Sequence, residues 1–484
     1  SVFPPSVAQV ETAIPAFIGY TATALDDTGA ETDSADFPYI RRISSMLEYE
    51  KYFGGAQPQS MQVVVENDQP DSVNISAVSR YRMYYALQLF YANGGGPCYI
   101  ASVGTYGAPA SENVVLSDLQ AGLSAIGLKD EPTLLLFPDA PGINGADPSS
   151  RQNNFHQILK DALMQCGQLK DRFLISDLFA SDGLSNSDFE TFRNGIGNNF
   201  LKYGAAYHPW LRTSIPYFYS DANITFDASS GSNANAELDT LNLADILARQ
   251  QAENQSAIIT DLQAAVTGLP DSGSATDAQK EQAITMAIQG AQAAVNGINS
   301  LIEAPSHDGN PDAGDIETER TNAMQTLADA QAIQLSDADP VGVAQSQVDA
   351  ANLALNTALS SYAIDESTFD DIEVVFTNSF LNNLRQLLQH QTITMPPSSA
   401  VAGIYAYVDR TRGVWKAPAN VSLSQVIEPA ARITNSIQDG MNVSATGKSV
   451  NAIRAFVGKG TLVWGARTLA GNDNEWRYVP VRRF

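Results

Sequence analysis

Ala445–Ser449 reads ATGKS, a string that invites phosphate chemistry, because a phosphate-binding loop cradles phosphoryl oxygens with backbone N–H groups and a lysine. That loop needs a glycine five residues before Gly447, where this chain has Asn442, so the motif fails. Gly94-Gly95-Gly96 could wrap an anion, yet directly after VSRYRMYYALQLFYAN it reads as a helix stop and tight turn. The four histidines, His156, His208, His307 and His390, are scattered without HExxH spacing, and no Cys/His pair has zinc-site spacing. No G-x-S-x-G elbow is present, and the many acidic residues of the middle read as a solvated face rather than paired catalytic acids. Tyr81, Tyr84, Tyr85, Phe90 and Tyr91 read as helix core, since a base-stacking platform would carry more basic neighbours. No catalytic residue, metal site or cofactor is expected.

One polar constellation stands out. Arg410, Arg412, Lys416, Arg454, Arg467, Arg477, Arg482 and Arg483 concentrate positive charge near the C-terminal end. Arginine forms planar bidentate pairs with carboxylates, which suits interfaces between subunits. The rest of the chain supplies the opposite sign. Residues 1–226 hold 24 acidic and 13 basic side chains, 227–373 hold 24 and 3, and 374–484 hold 5 and 12, giving −11, −21 and +7 of a formal −25. One subunit can therefore present opposite charges to its neighbours or to an inner partner. Nucleic acid and anionic membranes are disfavoured.

The elements that must position these residues fall into three stretches. At 484 residues the chain is too long for one core, and roughly 100–200 residues per domain gives two to four domains. Cys98 and Cys166 sit in apolar contexts that favour buried reduced thiols. No stretch approaches the roughly 18 apolar residues of a membrane span, and no signal-peptide pattern opens the sequence. Ala13–Thr21, Cys98–Val103, Thr133–Phe137, Phe173–Leu178 and Ala205–Leu211 read as strands alternating with helices over 78–93, 117–126, 149–165 and 187–196. Such alternation argues for an α/β sheet covered by helices. From 229 to 362 the composition turns to Ala, Gln, Asn and Asp, with helical stripes over 236–267, 277–304 and 341–362. A helical bundle inserted in the α/β core is the expectation, against a disordered acidic linker. Beyond it, 377–390 reads as an amphipathic helix and Ala402–Val408 and Gly460–Trp464 as strands.

The last ninety residues carry, in order, PPSSAVAGIYAYVDRTRGVWKAPANVSL, RITNSIQDGMNV, NAIRAFVGKGTLVWGARTL and EWRYVPVRRF. Together these strings resemble contractile tail sheath proteins. The N-terminal third agrees through PPSVAQVETAIPAFIGYTATA, YFGGA and YYALQLFYANGGGPCYIASVGTY, and PTLLLFPDA and YGAAYHPWL are similar to the same family. About two thirds of the chain is covered, on both sides of a middle that is not. In this light Gly447 is a turn before the NAIR strand.

The resemblance implies an α/β, mixed α+β, multi-domain sheath core with an inserted, mainly helical acidic domain. Residues 1–226 and 374–484 would be its two parts and 227–373 an outer insertion, with the basic C-terminal part facing a tube. The function implied is mechanical. Subunits would stack as helical rings, a homo-oligomer, around an inner tube protein and shorten to drive it through an envelope, with baseplate, terminal cap and sibling sheath proteins as further partners and neither nucleic acid nor membrane insertion. Strings such as RGVWKAPAN favour a bacterial injection system over a phage tail, made in the cytoplasm and working intracellularly, membrane-anchored or released. Relatives run on at both ends, so a longer native protein is expected. Two other readings are weighed. An α/β enzyme would reveal a deep pocket with convergent polar groups and a perturbed titratable residue; a secreted surface-array protein would need a signal peptide.

Overall fold

The run PAFIGYT is buried at every position because alternate side chains enter different cores. In the computed structural model Phe17 packs into one hydrophobic cluster, while Ala16, Ile18 and Tyr20 pack into another on the opposite face of the strand. A strand covered on both faces by helices must be apolar throughout, as parallel sheets are. The structure describes residues 12–107, 113–179, 188–228, 238–239, 241–442 and 447–471.

In chain order the elements are β1 (Pro15–Thr21), β2 (Tyr39–Ile43), α1 (Met46–Phe53), β3 (Met61–Glu66), β4 (Gln69–Asn74), α2 (Met83–Ala92), β5 (Cys98–Thr105), α3 (Leu116–Ile126) and β6 (Leu134–Leu136). Then come α4 (Pro148–Leu169), β7 (Phe173–Ser176), α5 (Asp188–Gly195), β8 (Gly204–His208), β9 (Leu211–Pro216), β10 (Ile224–Asp227), α6 (Leu243–Thr267), α7 (Asp277–Ile302), α8 (Ala313–Ala332) and α9 (Pro340–Ser360). The described chain closes with α10 (Glu366–Glu373), α11 (Asn378–Gln389), β11 (Thr392–Met395), α12 (Ser398–Arg412), β12 (Val421–Ser422), β13 (Val426–Pro429), α13 (Asn435–Asn442), β14 (Val450–Phe456) and β15 (Gly460–Val463).

Two compact units result. The first comprises 1–57, 78–218 and 392–484, the second 58–77 and 219–391. Unit 1 is a nine-stranded sheet in the order β12-β15-β14-β8-β7-β6-β1-β5-β2, with a separate three-stranded sheet β11-β9-β13. Its centre is parallel, and antiparallel strands finish both sides. Helices α1, α2 and α12 contribute to the core on one face, and α3, α4 and α5 to that on the other. The architecture is mixed α/β, in agreement with the alternation in the sequence.

Ala402–Val408 is not a strand; it lies inside α12. The stretch mixes small residues with large apolar and aromatic ones, and the helix is buried on nearly all sides from Ser398 to Ala406, so no polar face reveals a 3.6-residue period. Small residues serve a close crossing with α2. A Cβ on Gly403 would stand 2.5 Å from the Phe90 carbonyl oxygen.

Unit 2 holds helices α6 to α9, packed on one another, with the sheet β10-β3-β4. The acidic middle thus folds as helices. Its contacts use small side chains: Ala283, Ala287, Ala291, Ala294 and Gly297 of α7 are buried, and a Cβ on Gly297 would come within 2.8 Å of Leu355. Every helix start here except that of α8 carries a side-chain cap, including a full capping box at Thr276 and Gln279. Helix α8 adds to the three expected stripes; its buried set, Ile316, Ala323, Thr326 and Ala330, is too weakly apolar to read as a stripe. The β3–β4 hairpin turns at Asn67 and Asp68, both with positive φ (51° and 57°), as a two-residue turn matching strand twist requires.

Unit 2 carries 28 acidic and 4 basic residues, a formal charge of −24, which leaves −1 of the chain's −25 for unit 1. The polarity seen along the sequence is a polarity between folding units.

Candidate subunit interface

Five of the eight predicted basic side chains lie among the described residues; Arg477, Arg482 and Arg483 lie outside them. Arg410 and Arg412 occupy the exposed last turn of α12, and Lys416 follows in an exposed loop. Arg410 donates to the Gly94 carbonyl at 3.2 Å. Arg454, on β14, is half-buried and donates to Asn435 Oδ1 at 2.9 Å and Gln438 Oε1 at 2.7 Å, with its guanidinium 5.4 Å from the Phe456 ring centre. Arg467 reaches the Asn442 carbonyl at 3.5 Å. None of these five has a carboxylate partner among the described residues. Arg410, Arg412 and Lys416 are the exposed three of the five.

The loop that follows Arg412 and holds Lys416 also carries an apolar side chain that charge counting missed. Trp415 is 81% exposed and, with Val414, walls a surface groove of about 590 Å³ beside Arg410 and Arg412. Its indole folds back over Gly413, where φ is +85° and a Cβ would stand 2.4 Å from the ring. The only carboxylate lining the groove among the described residues, Asp409, accepts a hydrogen bond from the Thr12 hydroxyl at 2.8 Å.

The far end of this loop is anchored by Asn93, the C-cap of α2. Its amide donates to the Leu89 carbonyl at 2.8 Å and its Oδ1 accepts from Ser424 N–H at 2.8 Å, so one buried side chain closes a helix and fixes the segment after KAPAN. Gly94, with φ +91°, packs against Tyr407; the triple glycine is a helix stop.

Two perturbed carboxylates sit where an α/β enzyme keeps its chemistry, just past the carboxyl ends of β6 and β7. Both are fully buried. Burial pushes Asp139 up to about 6 and Asp177 up to about 7, against hydrogen bonds that act in the other direction. Each carboxylate is engaged by backbone. Asp139 accepts from Tyr20 N–H at 2.7 Å and from Arg82 N–H, at the start of α2, at 2.5 Å; Asp177 accepts from the N–H and hydroxyl of Ser398, at the start of α12. Neither carboxylate lines a cavity described here. They act as helix anchors that aim α2 and α12 across the sheet.

The ATGKS lysine is engaged as well. Lys448 is buried and its ammonium donates to the Arg193 carbonyl in the last turn of α5, while the Arg193 guanidinium donates to the carbonyls of Gly440 (2.7 Å), Met441 (3.0 Å) and Lys448 (3.2 Å). This reciprocal clamp ties α5 to the entry of β14. His156 and His208 are core residues, held down to about 4 by burial. Among the described residues no group of three or more His, Cys, Asp or Glu is placed to hold a metal, and no helix is long and apolar enough to cross a membrane.

No protein-family model and no curated protein matches the chain. Several solved structures are similar to it. They include the sheath complex of an extracellular contractile injection system, PVC, in the contracted state, 19% identical with a TM-score of 0.41 over 99% of this chain and 66% of that one. The helical sheath of the anti-feeding prophage (AFP) in the contracted state is 18% identical, with a TM-score of 0.41 over 100% of this chain and 71% of that one. A chain of the contracted AFP baseplate is 16% identical, with a TM-score of 0.47 and the same coverage. The present chain thus spans about two thirds of the PVC sheath chain's length.

Proposed function

We propose that this chain is a subunit of a contractile sheath, polymerising as stacked helical rings around an inner tube and shortening to drive the tube through a target envelope. The observation that carries the reading is the ordered set of sheath-like strings from PPSSAVAGIYAYVDRTRGVWKAPANVSL to NAIRAFVGKGTLVWGARTL. These strings occupy α12, the Trp415 loop and the strands β12, β14 and β15 at one side of the nine-stranded sheet. Segments of this kind supply what a filament subunit needs: an exposed aromatic, exposed cations and a finishing strand, each able to meet a different patch on the next copy. The role is structural and not enzymatic. The two carboxylates that could have served an α/β active site are committed to helix starts, which supports that view.

Within this reading unit 2 is the outer, solvent-facing insertion, the basic part of unit 1 faces neighbours and tube, and the contracted and extended stacks differ by rigid-body rotation at the remaining contacts. Partners are the inner tube protein, baseplate and terminal cap, with sibling sheath proteins in the same particle. The particle is of the bacterial injection-system type, assembled in the cytoplasm. Negative-stain electron microscopy of the protein with its inner-tube partner tests this. Striated hollow cylinders of uniform diameter are expected; persistent monomers with and without the tube would overturn it.

A further inference from the structure

The groove beside the end of α12 combines an apolar wall with cations, and that pairing specifies an occupant. Ala13, Val414 and Trp415 form the wall, and Arg410 and Arg412 line it. Because the indole rests over Gly413, its orientation is set before any partner arrives, so docking on it costs little side-chain entropy. A large exposed aromatic flanked by arginines is the composition of an interface hot spot.

The complementary feature lies on unit 2. Among its described residues Val374 is the most exposed large apolar side chain, at 78%, and Asp370, Asp371 and Glu373 lie within four positions of it. Leu353, next at 69%, has only Asp349 within that distance. Asp370, Glu373 and Val374 stand at i, i+3 and i+4 along the end of α10, a spacing that puts them on one face, while Phe369 and Ile372 are buried. One face therefore offers an apolar tip and two carboxylates, matching the indole and the two guanidinium groups.

We propose that Asp370–Val374 of a second copy of this chain docks in the groove, with Val374 against Trp415 and with Asp370 and Glu373 facing Arg410 and Arg412. The contact joins two different patches of the chain, so it can propagate from copy to copy. It rests on the sheath reading only for the premise that copies associate.

The test mixes two full-length variants, Val374→Cys and a mass-tagged Val414→Cys, under assembly conditions with a short bis-maleimide. Both substitutions fall on exposed positions, and the native thiols are buried. The mixed cross-linked species is expected at least about tenfold above that from a Leu353→Cys plus Val414→Cys mixture, a ratio equivalent to about 1.4 kcal/mol of preference. Adding Trp415→Ala to the tagged copy should weaken association by about thirtyfold, as loss of a hot-spot aromatic does. Equal yields from the two mixtures overturn the docking and assign the groove to another occupant. Micrographs of the same samples separate the two ideas: cylinders with equal yields leave the sheath standing without this contact, and preferential cross-linking without cylinders keeps the contact and removes the sheath. Neither cylinders nor cross-links would overturn both.

Discussion

Asp177 accepts two hydrogen bonds from Ser398, one from its backbone N–H at 2.7 Å and one from its hydroxyl at 2.6 Å, joining positions 221 residues apart in the chain. The bond pair fixes the start of α12 against the end of β7, and α12 in turn carries Arg410 and Arg412 and leads into Trp415. An interior carboxylate therefore aims the surface groove.

Its titration sets a pH dependence. Burial raises the Asp177 carboxyl to about 7 in the fold, above its unfolded value near 3.8, so its contribution to stability is fully present below about pH 4 and is lost as pH rises through 7. Asp177→Asn keeps an acceptor for the Ser398 N–H and removes the charge. Urea denaturation between pH 4 and 8 should show the wild type falling relative to this variant by on the order of 2–4 kcal/mol. Parallel pH profiles for the two proteins would refute the assignment.

Arg249 locks the helical unit. It is buried on α6, donates to the carbonyls of Leu359 (2.5 Å) and Ile364 (3.2 Å), pairs with Glu253 at 2.5 Å, and stacks over Phe369 at 5.6 Å. Arg249→Ala strands the buried Ile364 carbonyl, leaves the Leu359 carbonyl its bond from Tyr362 N–H at 3.3 Å, and should cost about 2–4 kcal/mol, read as an earlier loss of helical circular dichroism on urea titration. A change under about 0.5 kcal/mol, the range of ordinary surface substitutions, would mean that these carbonyls find other donors.

Arg410→Glu and Arg412→Glu together should abolish or strongly weaken assembly while leaving the melting temperature within about 2 °C, since both side chains are exposed. Arg454→Glu, which strands the side-chain acceptors of Asn435 and Gln438, should lower stability as well as packing; Arg467→Glu should impair packing by reversing a half-buried charge. Turbidity and differential scanning fluorimetry on the same samples separate the two effects. Normal assembly by the Arg410/Arg412 variant would remove that loop from the interface.

Deleting Ser229–Tyr362 removes 18 acidic and 3 basic residues, a formal −15, and with it much of the repulsion between copies. Assembly should persist and begin at a lower salt concentration than for the full chain, because less charge remains to be screened. Pelleting across a sodium chloride series reads this directly, and a deletion variant that never pellets would make the bundle part of the assembly contact.

Cys98 and Cys166 are buried, and burial pushes both thiols up to about 12. At pH 8 the native chain should give no rapid reaction with a thiol reagent, and the urea-unfolded chain should give both. Fast labelling of either thiol in the native protein would show that its face of the sheet opens.

Local periodicity carried the parts of this protein whose burial is one-sided or strictly two-sided. PAFIGYT, the stripe of α7 and the Thr377-capped helix α11 were legible for that reason, and so was the alternation that builds the α/β unit. The buried helix α12 was not, because a helix enclosed on nearly all sides has no amphipathic signature, and α8 was not, because alanine and threonine fill its buried positions. The charge count along the chain was fixed by composition, but its near-complete confinement to unit 2 depended on 58–77 joining 219–391, a pairing of β3 with β10 far apart in sequence. The C-terminal strings and their arginines were readable as residues. Which of them stand exposed beside an oriented indole, and which are spent on Asn435, Gln438 or a neighbouring carbonyl, was decided only when Asp139, Asp177 and Asn93 brought distant segments within hydrogen-bonding distance, since a hydrogen bond acts over about 3 Å of space whatever the separation along the chain.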